Sequence, residues 1–312
     1  MKIGFVGTGR MGAKMVANLL KGPHKVEVYD ANPEAMLPLL SKGAVAASGI
    51  NMVCVDKDIL FTMLPTPAIT VDAYCSENGI LDNVPPTTLV VECGTIDIGS
   101  LDRISAEAAR RRVQLLDGPV TGGVEGAEAG TLTFMLGGTA PQFEKLKPVL
   151  ELMGRKIVHA GEPGNAMKLK LVNNMICATN LVVASEALAL GLRLGLTADK
   201  MYEVISNGTG ASWVFNTYYP LGGVVQGAPS SRDFRNPTFP VSGMIKDLSC
   251  ALDAAARTGS IVSLHPVALS MLRLYGEQFG YDLDWTAVST MFNPPAAASK
   301  YAKLPRAEMQ ED

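Results

Sequence analysis

The chain has 312 residues, 47% hydrophobic and 18% charged, with a formal net charge of −3. Such a length holds two domains with substantial cores, the composition is that of a globular protein, and the charge gives no electrostatic case for a nucleic-acid partner. No apolar run is expected to reach membrane-spanning length, and nothing ahead of the first strand reads as a cleaved signal. Cys54, Cys75, Cys93, Cys177 and Cys250 are scattered, and His24, His159 and His265 fall in no metal-binding pattern. Reduced thiols and no metal are therefore expected. The expected location is the cytoplasm, or the mitochondrial matrix if a transit peptide has been removed.

In chain order, Met1 to Val6 reads as a buried strand, Gly7-Thr8-Gly9-Arg10-Met11-Gly12 as a tight turn, and Met15 to Leu20 as an apolar helix. Strand, Gly-x-Gly-x-x-Gly and helix in this order form the dinucleotide fingerprint. Gly7 permits the turn, Gly9 lets backbone N–H groups approach a pyrophosphate, and Gly12 lets the helix pack on the strand. The phosphates then sit at the positive end of the helix. A second strand, Lys25 to Tyr29, ends at Asp30, placed to accept hydrogen bonds from the adenosine ribose hydroxyls and to repel a 2′-phosphate. Ala31, Asn32 and Pro33 supply no arginine for such a phosphate, so NAD is expected over NADP.

Strands are predicted over 2–7, 25–29, 58–63, 88–92, 113–116, 132–136 and 156–159, with helices between them, for example 97–112 and 141–152. This alternation indicates a doubly wound, mostly parallel sheet. Leu64-Pro65-Thr66-Pro67 and Glu92-Cys93-Gly94-Thr95 follow two of its strands, on the side where such sheets bind ligands. After Gly164 the character changes. Residues 165–194 form one long, largely apolar helical stretch, and helices recur at 197–207, 241–258 and 264–279 without a convincing strand. The expected fold is α/β: an N-terminal Rossmann-type doubly wound sheet over 1–162, then an all-α C-terminal domain over 163–293 joined by a long interdomain helix, and a partly disordered tail over 294–312. The loop from Gly222 to Pro240 is long enough to be functional or mobile.

Two further segments could carry chemistry. Asp117-Gly118-Pro119-Val120-Thr121-Gly122-Gly123 follows a strand and continues as a loop to Thr133. Consecutive glycines beside a hydroxyl expose N–H groups that suit a carboxylate. In Lys168-Leu169-Lys170-Leu171-Val172-Asn173-Asn174, Lys170 and Asn174 share one helix face. A lysine desolvated beside a cationic nicotinamide has a lowered pKa and can act as a base near neutral pH. The residues themselves do not choose between Lys168 and Lys170.

Together these motifs resemble the β-hydroxyacid dehydrogenase family, over Lys2 to about Asp284. The shared features are the N-terminal fingerprint, a Leu-Pro-Thr segment, a threonine like Thr95, the Asp-x-Pro-Val-Ser-Gly-Gly loop, a Lys-x-x-Asn-Asn helix motif and Lys246-Asp247-Leu248. The resemblance implies that Lys170 is the catalytic acid and base and that Asn174 orients the substrate or the lysine. It implies that Thr121, Gly122 and Gly123 bind the substrate carboxylate, and that Lys246 and Asp247 close the site near substrate and nicotinamide. Trp213 and Tyr218 match aromatic pocket positions. Gly7, Thr8, Gly9, Arg10, Met11, Gly12, Asp30, Leu64, Pro65, Thr95 and Lys246 are the implied cofactor contacts, and no metal is implied. Three departures stand out: Thr121 replaces a serine, Ala166 replaces a glycine ahead of the lysine, and Ile69 replaces a polar residue near the cofactor.

The implied activity is reversible, NAD-dependent oxidation of a short 3-hydroxy acid, with 3-hydroxyisobutyrate the expected substrate. L-serine, another 3-hydroxy acid and tartronate semialdehyde are the alternatives. A non-catalytic NAD-binding scaffold is the reading from another class, and Lys170 speaks against it. The apolar helical half is expected to need more cover than one small domain gives, and the family implies a homodimer or homotetramer.

Overall fold

The structure, a computed structural model, describes residues 1–232 and 234–292. The tail expected over 294–312 lies outside the described residues. The strands are β1 (Lys2–Val6), β2 (Lys25–Tyr29), β3 (Val45–Ala46), β4 (Ile59–Thr62), β5 (Leu89–Glu92), β6 (Gln114–Asp117), β7 (Val120–Thr121), β8 (Leu132–Gly137) and β9 (Gly154–Gly161). The helices are α1 (Arg10–Leu19), α2 (Leu37–Leu40), α3 (Ile50–Cys54), α4 (Pro67–Cys75), α5 (Ile80–Asn83), α6 (Ile98–Arg110), α7 (Gly123–Ala129), α8 (Ala140–Leu150), α9 (Asn165–Arg193), α10 (Ala198–Ile205), α11 (Trp213–Thr217), α12 (Val241–Thr258) and α13 (His265–Phe279). The chain divides into two compact units, Met1–Val172 and Asn173 onward.

In the first unit the strands form one sheet in the order β3-β2-β1-β4-β5-β6-β8-β7, with β9 beside β8. β1 to β6 run parallel, β8 is antiparallel to β6 and β7, and β9 is parallel to β8. The chain winds from β1 outward to β3, then returns to β4 on the other side of β1. This reversal opens a crevice at the carboxyl ends of β1 and β4. Successive side chains of a strand face opposite ways, and here they fill two cores. Ile3, Phe5, Ile59, Phe61, Leu89 and Val91 meet Met15 and Leu19 of α1 and Leu146 and Leu150 of α8. Val6, Leu60 and Val90 meet Tyr74 of α4 and Leu101 and Ile104 of α6. A strand covered on both faces must be apolar throughout, which is why these strands read so clearly.

Two strands escape the sequence. β3 is two exposed residues at the sheet edge, too short for any periodicity. β7 and α7 lie within what reads as one loop between Asp117 and Thr133. Val120 pairs with Phe134 and Thr121 with Thr133, and the glycine-rich run that follows is helical rather than irregular.

The second unit is helical, and its one strand-like pairing among the described residues is an isolated bridge, Pro240 with Asp284. One core joins Leu181 of α9 to Val241, Met244 and Leu248 of α12, Leu269 and Leu272 of α13, and Trp285. A smaller one joins Leu188, Met201, Phe215 and Tyr219. The 29-residue α9 corrects one expectation, for by length and composition it could cross a membrane. No charge falls between Leu171 and Ser185, although Val172 and Asn173 in that stretch are exposed. Ile176, Val183 and Leu190, seven residues apart, are exposed along it, as is Leu194.

Candidate active site

The turn after β1 is built by three glycines with three different reasons. Gly7 has φ +91°, and a Cβ there would lie 2.3 Å from the Met63 carbonyl oxygen. A Cβ on Gly12 would lie 1.9 Å from the Gly7 carbonyl oxygen, so α1 can approach β1 only without a side chain at that position. Gly9 has nothing within 4 Å of the place its Cβ would take. It begins α1 in extended conformation, and no side chain caps the helix. With no side chain capping its first turn and open space beside Gly9, the positive end of α1 fits the pyrophosphate of a dinucleotide.

Asp30 stands just beyond β2. Its Oδ2 accepts the Thr8 N–H at 2.6 Å and the Thr8 hydroxyl at 3.2 Å, and Oδ1 accepts the Asn32 N–H at 2.9 Å. Thr8 is buried and turned onto Asp30, so it orients that carboxylate.

Leu64 and Pro65 follow β4, and Thr95 follows β5, both at the carboxyl edge. A residue that sequence reasoning passed over holds them together. Glu92, buried at the end of β5, accepts the Gly94 N–H on Oε1 at 2.7 Å and the Thr62 hydroxyl on Oε2. Thr62 Oγ1 in turn lies 2.7 Å from the Tyr74 hydroxyl. A Cβ on Gly94 would lie 2.6 Å from Glu92 Oε1 and 3.0 Å from the Leu64 carbonyl oxygen, so the two loops meet there. Burial, with the Glu92 charge adding to it, pushes the Tyr74 phenol well up. The signal in the sequence was a lone carboxylate closing an otherwise apolar strand. Ile69, in the first turn of α4, is exposed.

Thr121 ends β7 half-buried, and Gly122 and Gly123 take φ of +126° and +69° as the chain turns into α7. Ala166, expected to alter a turn, is a buried residue in the first turn of α9. Lys168 is exposed, with Nζ 3.2 Å from Asn165 Oδ1, whereas Lys170 is half-buried. One turn later on the same helix Asn174 is only 6% exposed. Its Nδ2 donates to Oδ2 of Asp247, which is 2% exposed. Asn173 donates to Asn174 Oδ1 at 2.9 Å. Asp247 Oδ1 lies 2.7 Å from Lys246 Nζ, an ion pair by distance although Oδ1 accepts no well-aligned hydrogen bond. The second unit thus brings Asn174 and Asp247 together in its interior, with the half-buried Lys246 beside them. Trp213 and Tyr218 meet edge to face at 5.1 Å, yet Tyr218 is core at 8% exposure while Trp213 is 56% exposed.

Comparison with known proteins agrees with this geometry. A family model described as the NAD binding domain of 6-phosphogluconate dehydrogenase matches residues 2–161. One described as NAD-binding of NADP-dependent 3-hydroxyisobutyrate dehydrogenase matches residues 164–292. The NAD-dependent L-serine dehydrogenase of Pseudomonas aeruginosa is 39% identical over 293 residues, covering 94% of this chain and 98% of the relative. The 3-hydroxyisobutyrate dehydrogenase of the same organism is 38% identical, covering 88% and 92%. The solved structure of Mycobacterium tuberculosis 3-hydroxyisobutyrate dehydrogenase with L-serine superposes with a TM-score of 0.86 at 34% identity, covering 94% of this chain and 99% of that one. The chain belongs to the 3-hydroxyisobutyrate dehydrogenase family of NAD-dependent 3-hydroxyacid dehydrogenases.

Proposed function

We propose that this enzyme oxidises 3-hydroxyisobutyrate to methylmalonate semialdehyde, reversibly, with Lys170 as the acid and base. The observation that carries the reading is the half-buried Lys170 one helical turn before the buried Asn174, itself tied to Asp247. The turn after β1 would hold NAD, which would supply the hydride acceptor for the alcohol carbon. The neutral Lys170 amine takes the hydroxyl proton, and its ammonium returns one in the reverse direction. The Thr121 hydroxyl and the N–H groups of Gly122 and Gly123 hold the substrate carboxylate, and so fix where the alcohol lies. Asn174 holds the alcohol or the lysine in line, while Lys246 and Asp247 close the site. Trp213 and Tyr218 line the pocket for the C2 substituent. Asp30 sets NAD above NADP, a preference proposed against the NADP in the description of the second family model.

L-serine is the second reading. The 39% identical relative carries that name, and L-serine accompanies the Mycobacterium tuberculosis structure. Thr121 in place of serine narrows the carboxylate loop by one methyl and bears on this choice.

Residues 1–162 are proposed as the cofactor domain and 163–293 as the substrate and dimerisation domain. A homodimer or homotetramer would cover the exposed row of Ile176, Val183, Leu190 and Leu194. The five free cysteines suit a reducing compartment, the cytoplasm or the mitochondrial matrix.

The test is NADH formation from 3-hydroxyisobutyrate and from L-serine by the wild type and by Lys170→Met. The variant is expected to lose ~10²–10⁴ in kcat and to bind NAD as before. Undiminished turnover would remove Lys170 from the reaction.

A further inference from the structure

Asp117 is a charged residue at the end of a buried strand, only 1% exposed. Both its oxygens are used. The Gly164 N–H donates to Oδ1 at 2.7 Å and the Met167 N–H to Oδ2 at 2.8 Å, across 47 and 50 residues of chain. Those two amides have a fixed relation to α9: Gly164 immediately precedes the helix and Met167 is its third residue. In a capping box the residue before the helix accepts the N–H of the third helical residue, and the side chain of the third residue accepts the N–H of the first partner. The chain uses the local form at α8, where Gln142 Oε1 accepts the Thr139 N–H at 2.9 Å. At α9 neither Gly164 nor Met167 has a side chain able to accept. The two oxygens of Asp117 take both parts.

Room for the carboxylate is made on the neighbouring strand. Gly137 pairs with Asp117 in the sheet, and a Cβ there would lie 2.2 Å from Oδ1 and 3.0 Å from Oδ2. The negative charge also complements the positive end of α9. Asp117 is fixed at the other side too, since its own strand leads directly into Gly118 to Gly123.

We propose that Asp117 is a positioning residue for Lys170, a cap supplied from β6 that fixes the first turn of α9 three residues before the lysine. It thereby ties the helix carrying the proton acceptor to the strand that leads into the carboxylate-binding loop. The inference rests on the reaction proposed above for its kinetic consequence, and on the hydrogen bonds alone for its structural one. In Asp117→Asn one oxygen becomes an N–H₂ group facing an N–H, so one of the two cap bonds is lost at nearly constant volume.

The experiment compares full-length wild type, Asp117→Asn and Gly137→Ala, the last pressing on an intact carboxylate. Amide hydrogen exchange is read for residues 165–170, with kcat, KM for the hydroxy acid and Kd for NAD. The first turn of α9 is expected to lose protection while β1, β4 and β5 keep theirs. We expect kcat to fall about 10–100-fold, with Kd for NAD changed less than about twofold. Wild-type exchange in that turn, in whichever of the two variants folds, overturns the cap. A lowered melting temperature with kcat and its pH profile unchanged overturns the positioning role. Should the wild type oxidise no hydroxy acid, the proposed reaction falls, and the exchange measurement still decides the cap.

Discussion

Asn174 and Asp247 are hydrogen-bonded through side chains that lie 73 residues apart in sequence, and both are buried. The bond links α9 to α12 within the helical unit, and Lys246 beside it supplies the positive charge that a buried carboxylate needs. Asn173 adds a donor to Asn174 Oδ1, which leaves the Asn174 amide held at both ends.

Asp247→Ala removes the acceptor of the buried Asn174 amide N–H and one ion-pair partner of Lys246. A buried donor left without an acceptor costs about 1–3 kcal/mol, so the melting temperature should drop and kcat with it. Asp247→Asn keeps an acceptor for Asn174 and should recover part of both. Thermal unfolding beside steady-state kinetics checks this; a fully active, equally stable alanine variant would remove the cluster from the site.

Alanine at two glycines of the same turn should give opposite results. Gly12→Ala brings a methyl onto the Gly7 carbonyl oxygen and should cost at least ~1–3 kcal/mol of stability, as overpacking does. Gly9→Ala meets no protein atom and keeps a φ of −65°. Its stability should stay within about 0.5 kcal/mol, while NAD binding weakens at least about tenfold, or ~1.4 kcal/mol. Urea unfolding and NADH fluorescence titration separate the two effects.

Asp30→Ala should lower kcat/KM for NAD about 10–100-fold, because hydrogen bonds to a charged group contribute about 1.5–3 kcal/mol. It should also remove the repulsion felt by a 2′-phosphate, so the ratio of NAD to NADP efficiency narrows. Thr8→Val, which keeps the backbone N–H on Asp30 and loses only the 3.2 Å hydroxyl bond, should change the ratio much less. An unchanged ratio in Asp30→Ala would locate cofactor choice elsewhere.

Alkaline pH should weaken the fold through Cys54. Burial pushes its thiol from the ordinary 9.0 up to about 12. The native thiol then keeps its proton while the unfolded one loses it, so stability falls as pH rises from about 9 toward 12. The slope is at most about 1.4 kcal/mol per pH unit for this group. Cys54→Ala should flatten urea midpoints measured across that range, and the same slope in the variant would assign the loss to other groups.

Much of the candidate site was legible because its signals are local. The glycines of the first turn sit between a strand and a helix that announce themselves, and Asp30 ends a strand of alternating pattern. The roles of Glu92 and Asp117 were not, because their partners are chosen by strand order: Thr62 lies 30 residues from Glu92, and Met167 lies 50 from Asp117. Nor could periodicity separate Trp213, which opens the short α11, from Tyr218 just past its end, although one is exposed and the other is core.

The amino-acid order alone determined the alternating strands and helices, the nucleotide turn and the long apolar helix. Hydrophobic periodicity and glycine conformation act over a few residues and need no distant partner. Only the folded chain decided which lysine of the pair is half-buried, which carboxylates are enclosed, and what each one holds. Enclosure and hydrogen-bond satisfaction depend on elements that meet late in the chain, and a buried carboxylate persists only where they deliver its donors.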